Sequence, residues 1–301
     1  MSSWTILGAG AIGGLFACQL ARAGIPVRLS TSRRPASGHY RLTLLEGRQA
    51  TPFHFPVLTP DQGIDQLIIA TKTYQTPAAI GQIRQQIRPG GSIIVMQNGM
   101  GTSEWLRSEI PDARVRAAST THGAYRESDG QIVHAGKGDT WLGPLQERDI
   151  PLARAICDQW QGAGVPVRWD ASIHQRLWLK LGINCAINPL TVIYQCRNGE
   201  LLEKPEALGR MEGICSEFTQ TFQAVMGGLP GEDVFQTAKT VAEKTAANIS
   251  SMRQDVLKGN PTEIDAINGY LITQARARGI PCPVNEATVA ELKRVTGRQP
   301  D

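Results

Sequence analysis

The apolar residues of this chain fall into two regimes, with a change near residue 170. Before it they come in short runs bounded by glycine, proline or small polar residues, and after it they recur at helical spacing. The runs at 4–7, 25–29, 67–71 and 92–96 predict strands; the last two are continuous, as in strands buried on both faces of a parallel sheet. Shorter strands are expected at 115–121, 131–135, 140–142 and 165–169, with Ser128-Asp129-Gly130 as a hairpin signal. Helices fall between them: one after residue 10 that stops at Gly24, one at 77–87 and one at 150–163. From residue 171 onward, helices are predicted at 172–188, 205–226, 232–247, 263–278 and 286–296. Their breaks are Asn188-Pro189, 227–231, 259–261 and 279–283. The pattern therefore predicts an α/β domain over 1–170 followed by an all-α domain over 171–301.

Composition narrows the classes. The chain has 301 residues, 41% hydrophobic and 19% charged, enough for two buried cores. A net charge of +4, with no basic run longer than Arg33-Arg34, is too mild for a nucleic-acid footprint and suits small anionic ligands. Six cysteines without a C-x-x-C pair read as buried free thiols in a reducing compartment, and no metal site is expected. No basic segment precedes the first apolar run, and no stretch reaches the length of a membrane span. A soluble, cytoplasmic protein is the expectation.

The chemistry begins at Gly8-Ala9-Gly10-Ala11-Ile12-Gly13, a G-x-G-x-x-G directly between a strand and a helix. Gly8 turns the chain, Gly10 admits a pyrophosphate close to the backbone, and Gly13 lets the helix pack on the sheet. The helix start then offers free N–H groups to phosphate. This context predicts a Rossmann-type dinucleotide-binding domain. Where such domains use a carboxylate to hold the ribose of NAD, this chain has none from Met1 to Leu45, and the second strand runs into Ser32-Arg33-Arg34. A hydroxyl and two guanidinium groups suit the 2′-phosphate of NADP; the alternative is a solvated turn. Lys72, beyond the strand 67–71, reads either as a cofactor contact or as a surface lysine. Asn98, in Gln97-Asn98-Gly99-Met100-Gly101, reads either as a partner for the nicotinamide end or as a turn residue.

The helix 172–188 is apolar nearly all round, yet Lys180, Asn184 and Asn188 recur at i, i+4 and i+8 on one face. Such a lysine either snorkels or pairs within a core, or it belongs to a polar stripe facing a cleft. The long helix 205–226 serves either a dimer interface or the core.

These motifs resemble the ketopantoate reductases. The resemblance covers nearly the whole chain and rests on the glycine turn, Thr71-Lys72, residues 98–101, the stretch from Lys180 to Thr191, Asn198-Gly199-Glu200-Leu201, the stretch from Asn248 to Asp255, and Thr262-Glu263-Ile264-Asp265. It implies NADPH-dependent reduction of 2-dehydropantoate to (R)-pantoate, on the way to pantothenate and coenzyme A, with Lys180 as proton donor. It also implies that Asn98, Asn184, Asn188, Asn198, Asn248 and Ser251 bind substrate. Gly8 through Gly13, Lys72, Asn98 and Ala124 are implied to contact NADP, and Glu263, at the start of its helix, matches a family carboxylate near the cofactor ribose and reacting centre that orients NADP, Lys180 or the substrate; the alternative is an acid in a helix's first turn. Relatives with this pattern act on other 2-oxo acids, so reduction of another such acid is the alternative reading; a non-catalytic dinucleotide sensor is disfavoured because it has no need of Lys180 and its asparagines. A homodimer is compatible with this reading.

Overall fold

The computed structural model describes residues 3–32 and 35–297. It forms two compact units: Met1–Gln97 with Thr102–His174, and Asn98–Gly101 with Gln175–Asp301.

The first unit alternates strands and helices: β1 (Trp4–Leu7), α1 (Ala11–Arg22), β2 (Val27–Ser30), β3 (His39–Glu46), β4 (Gln49–Pro56), β5 (Ile64–Ile69), α2 (Thr76–Ile83), β6 (Ile87–Val95), α3 (Thr102–Glu109) and β7 (Arg114–Thr120). It continues with β8 (Gly123–Ser128), β9 (Gln131–Gly136), β10 (Thr140–Pro144), α4 (Ile150–Gly162) and β11 (Val167–Trp169). One seven-stranded sheet has the order β11-β10-β7-β6-β5-β1-β2, and a second has the order β4-β3-β9-β8. From β2 to β7 the large sheet is parallel, and β10 turns antiparallel to β7.

Because side chains alternate across a strand, the continuous apolar runs feed two cores at once. Ile68 and Ile94 pack with Trp4, Phe16 and Trp160 on one face, whereas Leu67, Ile69, Ile93 and Val95 pack with Ile80, Ile83 and Leu106 on the other. The Trp4 and Trp160 rings meet edge to face, 5.0 Å apart. The small sheet covers the outer side of α1, where a side chain at Gly14 would come within 3.0 Å of Ile132.

The second unit contains α5 (Ile173–Ile193), which begins at the unit boundary, then α6 (Pro205–Met226), α7 (Val234–Lys244), α8 (Ser251–Leu257), α9 (Asn268–Arg276) and α10 (Pro283–Val295). Trp178, Phe218 and Phe222 form its aromatic centre, with Met211, Ile214, Leu271 and Leu292 around them. The apolar face of α6 fills this core. All six cysteines are buried free thiols.

The structure corrects several expectations. The helix expected to break at Asn188-Pro189 runs through Pro189 to Ile193, and the chain turns only at Gln195, whose φ of 50° lies in the left-handed region. The helix predicted over 77–87 ends at Ile83, because Ile87 already pairs with Ile64 at the edge of an irregular register. β3 and β4 form a hairpin that the apolar runs did not announce, and Ala124 lies in a strand, β8, that pairs with β9. The helix predicted from residue 263 starts at Asn268; a single 3₁₀ turn, Ile264–Ala266, intervenes, and Glu263 immediately precedes that turn.

Candidate active site

In the first unit the glycine turn joins β1 to α1 at the point where β1 is flanked by β2 on one side and β5 on the other, the crevice in which open α/β sheets bind ligands. Gly8 has φ +96°, and a Cβ there would lie 2.6 Å from the Thr71 backbone nitrogen, so the ends of β1 and β5 approach too closely for any side chain. At Gly13 a Cβ would meet the Gly8 carbonyl oxygen at 2.0 Å. Gly10 differs, because a Cβ there would meet no atom within 4 Å. Its bareness serves no contact within the protein, which is what a cradle for a pyrophosphate requires. Ala9 leads into that cradle, and Ala11, Ile12 and Gly13 form the first turn of α1, whose N–H groups lack intrahelical acceptors. No acidic residue stands in that turn to oppose an anion. These residues fit a dinucleotide phosphate.

The ends of β5 and β6 are tied by side chains that the sequence pattern did not single out. The Gln97 amide donates to the Thr71 carbonyl (2.6 Å) and to Thr76 Oγ1 (2.7 Å). The Thr76 hydroxyl in turn donates to the Lys72 carbonyl (3.2 Å), which holds the turn that presents Lys72. Ser32 is exposed at the end of β2, while Arg33 and Arg34 lie outside the described residues. Ala124 is half-buried in β8 and packs on the core around α1. Beside that strand, His122 Nδ1 and His134 Nε2 are 2.9 Å apart, and His134 Nδ1 lies 3.1 Å from Glu46.

In the second unit α5 presents Lys180, Asn184 and Asn188 along one face. Lys180 is half-buried; loss of hydration pulls its pKa from 10.5 to about 8, and the nearby charge of Glu263 works in the opposite direction. Glu263 is itself buried, and its carbonyl accepts the N–H groups of Ala266 and Ile267. The segment Asn98–Gly101 packs in this unit: the Met100 N–H donates to the Ala266 carbonyl (2.9 Å). Gly99, at φ +78°, would place a Cβ 2.6 Å from that same carbonyl oxygen, so only glycine fits. The segment that begins at Asn98 thus packs on the turn that follows Glu263.

Asn188 is buried, and its carbonyl accepts the Thr191 hydroxyl (2.8 Å). Thr191 Oγ1 also lies 2.6 Å from Ser250 Oγ, and Ser250 caps α8 by accepting the Arg253 N–H. Ser251, the first residue of α8, is exposed, as is Asn248. The Asn198 N–H donates to the Asn248 carbonyl (3.1 Å), and its side-chain amide donates to Thr245 Oγ1 (2.9 Å). Asn198 Oδ1 is buried with no hydrogen-bond partner among the described residues, an acceptor available to a ligand donor. Thr191, Thr245 and Ser250 are therefore supporting residues that sequence spacing alone did not single out.

Residues 4–147 match the family model described as ketopantoate reductase PanE/ApbA, and residues 172–296 match its C-terminal model. The 2-dehydropantoate 2-reductase of Vibrio cholerae is 37% identical over 295 residues, 96% of each chain. Among solved structures, D-mandelate dehydrogenase with NADH and anilino(oxo)acetate covers 98% of this chain and 99% of its own at 22% identity, with a TM-score of 0.89. The dimeric ketopantoate reductase of Staphylococcus aureus covers the same shares at 22% identity, with a TM-score of 0.84. These last two are likenesses of fold.

Proposed function

We propose, from the premise that this chain belongs to the ketopantoate reductase family, that Lys180 is the proton donor in the NADPH-dependent reduction of 2-dehydropantoate to (R)-pantoate. The chain is an oxidoreductase that uses a nicotinamide dinucleotide. The observation that carries the role of Lys180 is its ammonium, shifted to about 8 on a buried helix, on the same face as two asparagines. Reducing a ketone requires a hydride at carbon and a proton at oxygen. The dinucleotide, when bound, supplies the hydride. Lys180 gives the proton and stabilises the charge that develops on the oxygen, and its charge also attracts the 2-oxo carboxylate. Asn98, Asn184, Asn188 and Asn198 orient the substrate by hydrogen bonds, with the unpaired Oδ1 of Asn198 accepting from a substrate hydroxyl. Asn248 and Ser251 hold the substrate carboxylate and hydroxyl. Residues 8–13, Lys72, Ala124 and Glu263 hold the dinucleotide.

A pKa near 8 sets a pH profile. Lys180 must be protonated to act as an acid, so kcat/KM for reduction should be level below about pH 8 and fall tenfold per pH unit above it. A profile flat to pH 10 would separate Lys180 from the proton transfer.

The preference for NADPH rests on Ser32, Arg33 and Arg34 and on the absence of a ribose-binding carboxylate up to Leu45. Replacing both arginines by alanine should raise the KM for NADPH at least about tenfold while changing that for NADH by less than about twofold. Equal losses for the two coenzymes would remove the assignment.

The direct test is a panel of 2-oxo acids with each coenzyme, followed by nicotinamide absorbance, with fastest turnover expected for 2-dehydropantoate and NADPH. Faster turnover of a bulky aryl 2-oxo acid would favour the alternative substrate. A homodimer and a cytoplasmic location complete this reading. The first is supported by the dimeric fold relative. The second is supported by six unpaired buried thiols and by the lack, among the described residues, of a helix long and apolar enough to cross a membrane.

A further inference from the structure

Pro189 sits inside α5, where a proline has no N–H to give to the carbonyl four residues back and its ring presses against that carbonyl. The carbonyl is that of Cys185, and it is not left unpaired: the Asn268 side-chain amide donates to it at 3.2 Å. Asn268 is fully buried at the start of α9. Its second amide proton goes to Asn285 Oδ1 at 2.8 Å. Asn285 is itself fixed by Glu217 of α6, whose Oε2 accepts both the Asn285 N–H (2.9 Å) and its side-chain amide (2.7 Å). Glu217 Oε1 takes the Val284 N–H (2.7 Å), so one carboxylate satisfies two orphan donors in the first turn of α10. The donors of Asn268 are both used, whereas its Oδ1 has no hydrogen-bond partner among the described residues. The site is therefore organised around donation by Asn268, and the orientation of its amide is imposed from α6 through Asn285.

The carbonyl that receives this bond lies immediately after Asn184 and three residues before Asn188. We propose that Asn268 is a positioning residue for the reduction: its amide replaces the donor that Pro189 lacks and so fixes the course of α5 through Pro189, which sets Asn188 relative to Asn184 and Lys180. This rests on the reading of Lys180, Asn184 and Asn188 as the residues that act on the substrate. It also explains why a helix that carries reacting groups contains a proline without breaking there.

The test is a double-mutant cycle between Pro189→Ala, which restores the backbone N–H, and Asn268→Leu, which keeps similar volume and removes the donor. With proline at 189, Asn268→Leu is expected to lower kcat for 2-dehydropantoate about thirtyfold and to leave the KM for NADPH within about twofold. In the Pro189→Ala background the same substitution should change kcat by less than about threefold. The cycle is also read in Tm without substrate, where Asn268→Leu should cost at least about 3 °C more with proline at 189 than with alanine. Equal effects of Asn268→Leu in both backgrounds overturn the proposal. Coupling in Tm without coupling in kcat overturns the positioning role and leaves only a structural bond. A wild type inactive on every 2-oxo acid sinks the functional reading instead, and the Tm cycle still judges the bond. If Asn268→Leu alone fails to fold, a folded double variant supports the replacement of one donor by the other, and an unfolded double variant overturns it.

Discussion

Lys180→Ala should lower kcat for 2-dehydropantoate at least about a hundredfold while the KM for NADPH stays within about a factor of two. The size follows from the two tasks proposed for one ammonium, proton transfer and stabilisation of a developing alkoxide, each worth orders of magnitude in rate. The cause of the shifted pKa sharpens the expectation. Burial lowers the pKa to about 8 and Glu263 only partly opposes it, so near neutral pH the group is still protonated and is a far better acid than an exposed lysine. Lys180→Arg separates the tasks. Its guanidinium keeps the charge but does not release a proton in this range, so it should retain more substrate affinity than alanine and nearly as little turnover. Steady-state kinetics on the three proteins decide the matter. A Lys180→Ala enzyme of near-normal kcat would place the acid elsewhere.

Gly10→Val should weaken binding of the dinucleotide at least about a hundredfold with Tm unchanged to within about 2 °C, an effect on the ligand alone. The contrast with its neighbour makes the prediction specific. A Cβ at Gly10 touches nothing in the protein, and the residue has ordinary extended backbone (φ −73°), so a side chain there starts in open space and the empty protein is expected to keep its fold with valine. At Gly13 a Cβ would lie 2.0 Å from the Gly8 carbonyl oxygen, so Gly13→Ala must displace backbone and should destabilise the unit by roughly 3 kcal/mol or more. Titration of each variant with NADPH, followed by nicotinamide fluorescence beside a thermal melt, separates the two. Full coenzyme affinity in Gly10→Val would mean that the pyrophosphate lies elsewhere.

Periodicity was most informative where one interaction dominates. β5 and β6 are strands buried on both faces, and their apolar runs say so directly; α6 is bounded by Pro205 and by Gly227 in the left-handed conformation, and its limits were readable to the residue. The hairpin of β3 and β4 was illegible because it is half exposed: only Leu42, Leu44 and Phe55 are fully buried, so its signal is a weak alternation around Gly47 rather than a run. Pro189 was misread because a local rule, that proline ends a helix, is overridden by Asn268, a residue 79 positions on. The same limit applies to the candidate site. Lys180, Asn184 and Asn188 share a helix face and are visible as a spacing. Asn198, Asn248, Ser251 and Glu263 were reached only through resemblance, because their relation to α5 runs through turns and caps such as Ser250 and Thr191. Gln97 and Thr76, which secure the Lys72 turn, carry no pattern at all.

The most direct test of the central claim is a crystal structure of the protein with NADP⁺ and the unreduced 2-oxo acid bound together, in which the distance from Lys180 Nζ to the keto oxygen is measured. A proton donor must lie within about 2.6–3.2 Å of that oxygen, or reach it through one water. An ammonium turned away from the carbonyl, with another acid in its place, would contradict the assignment.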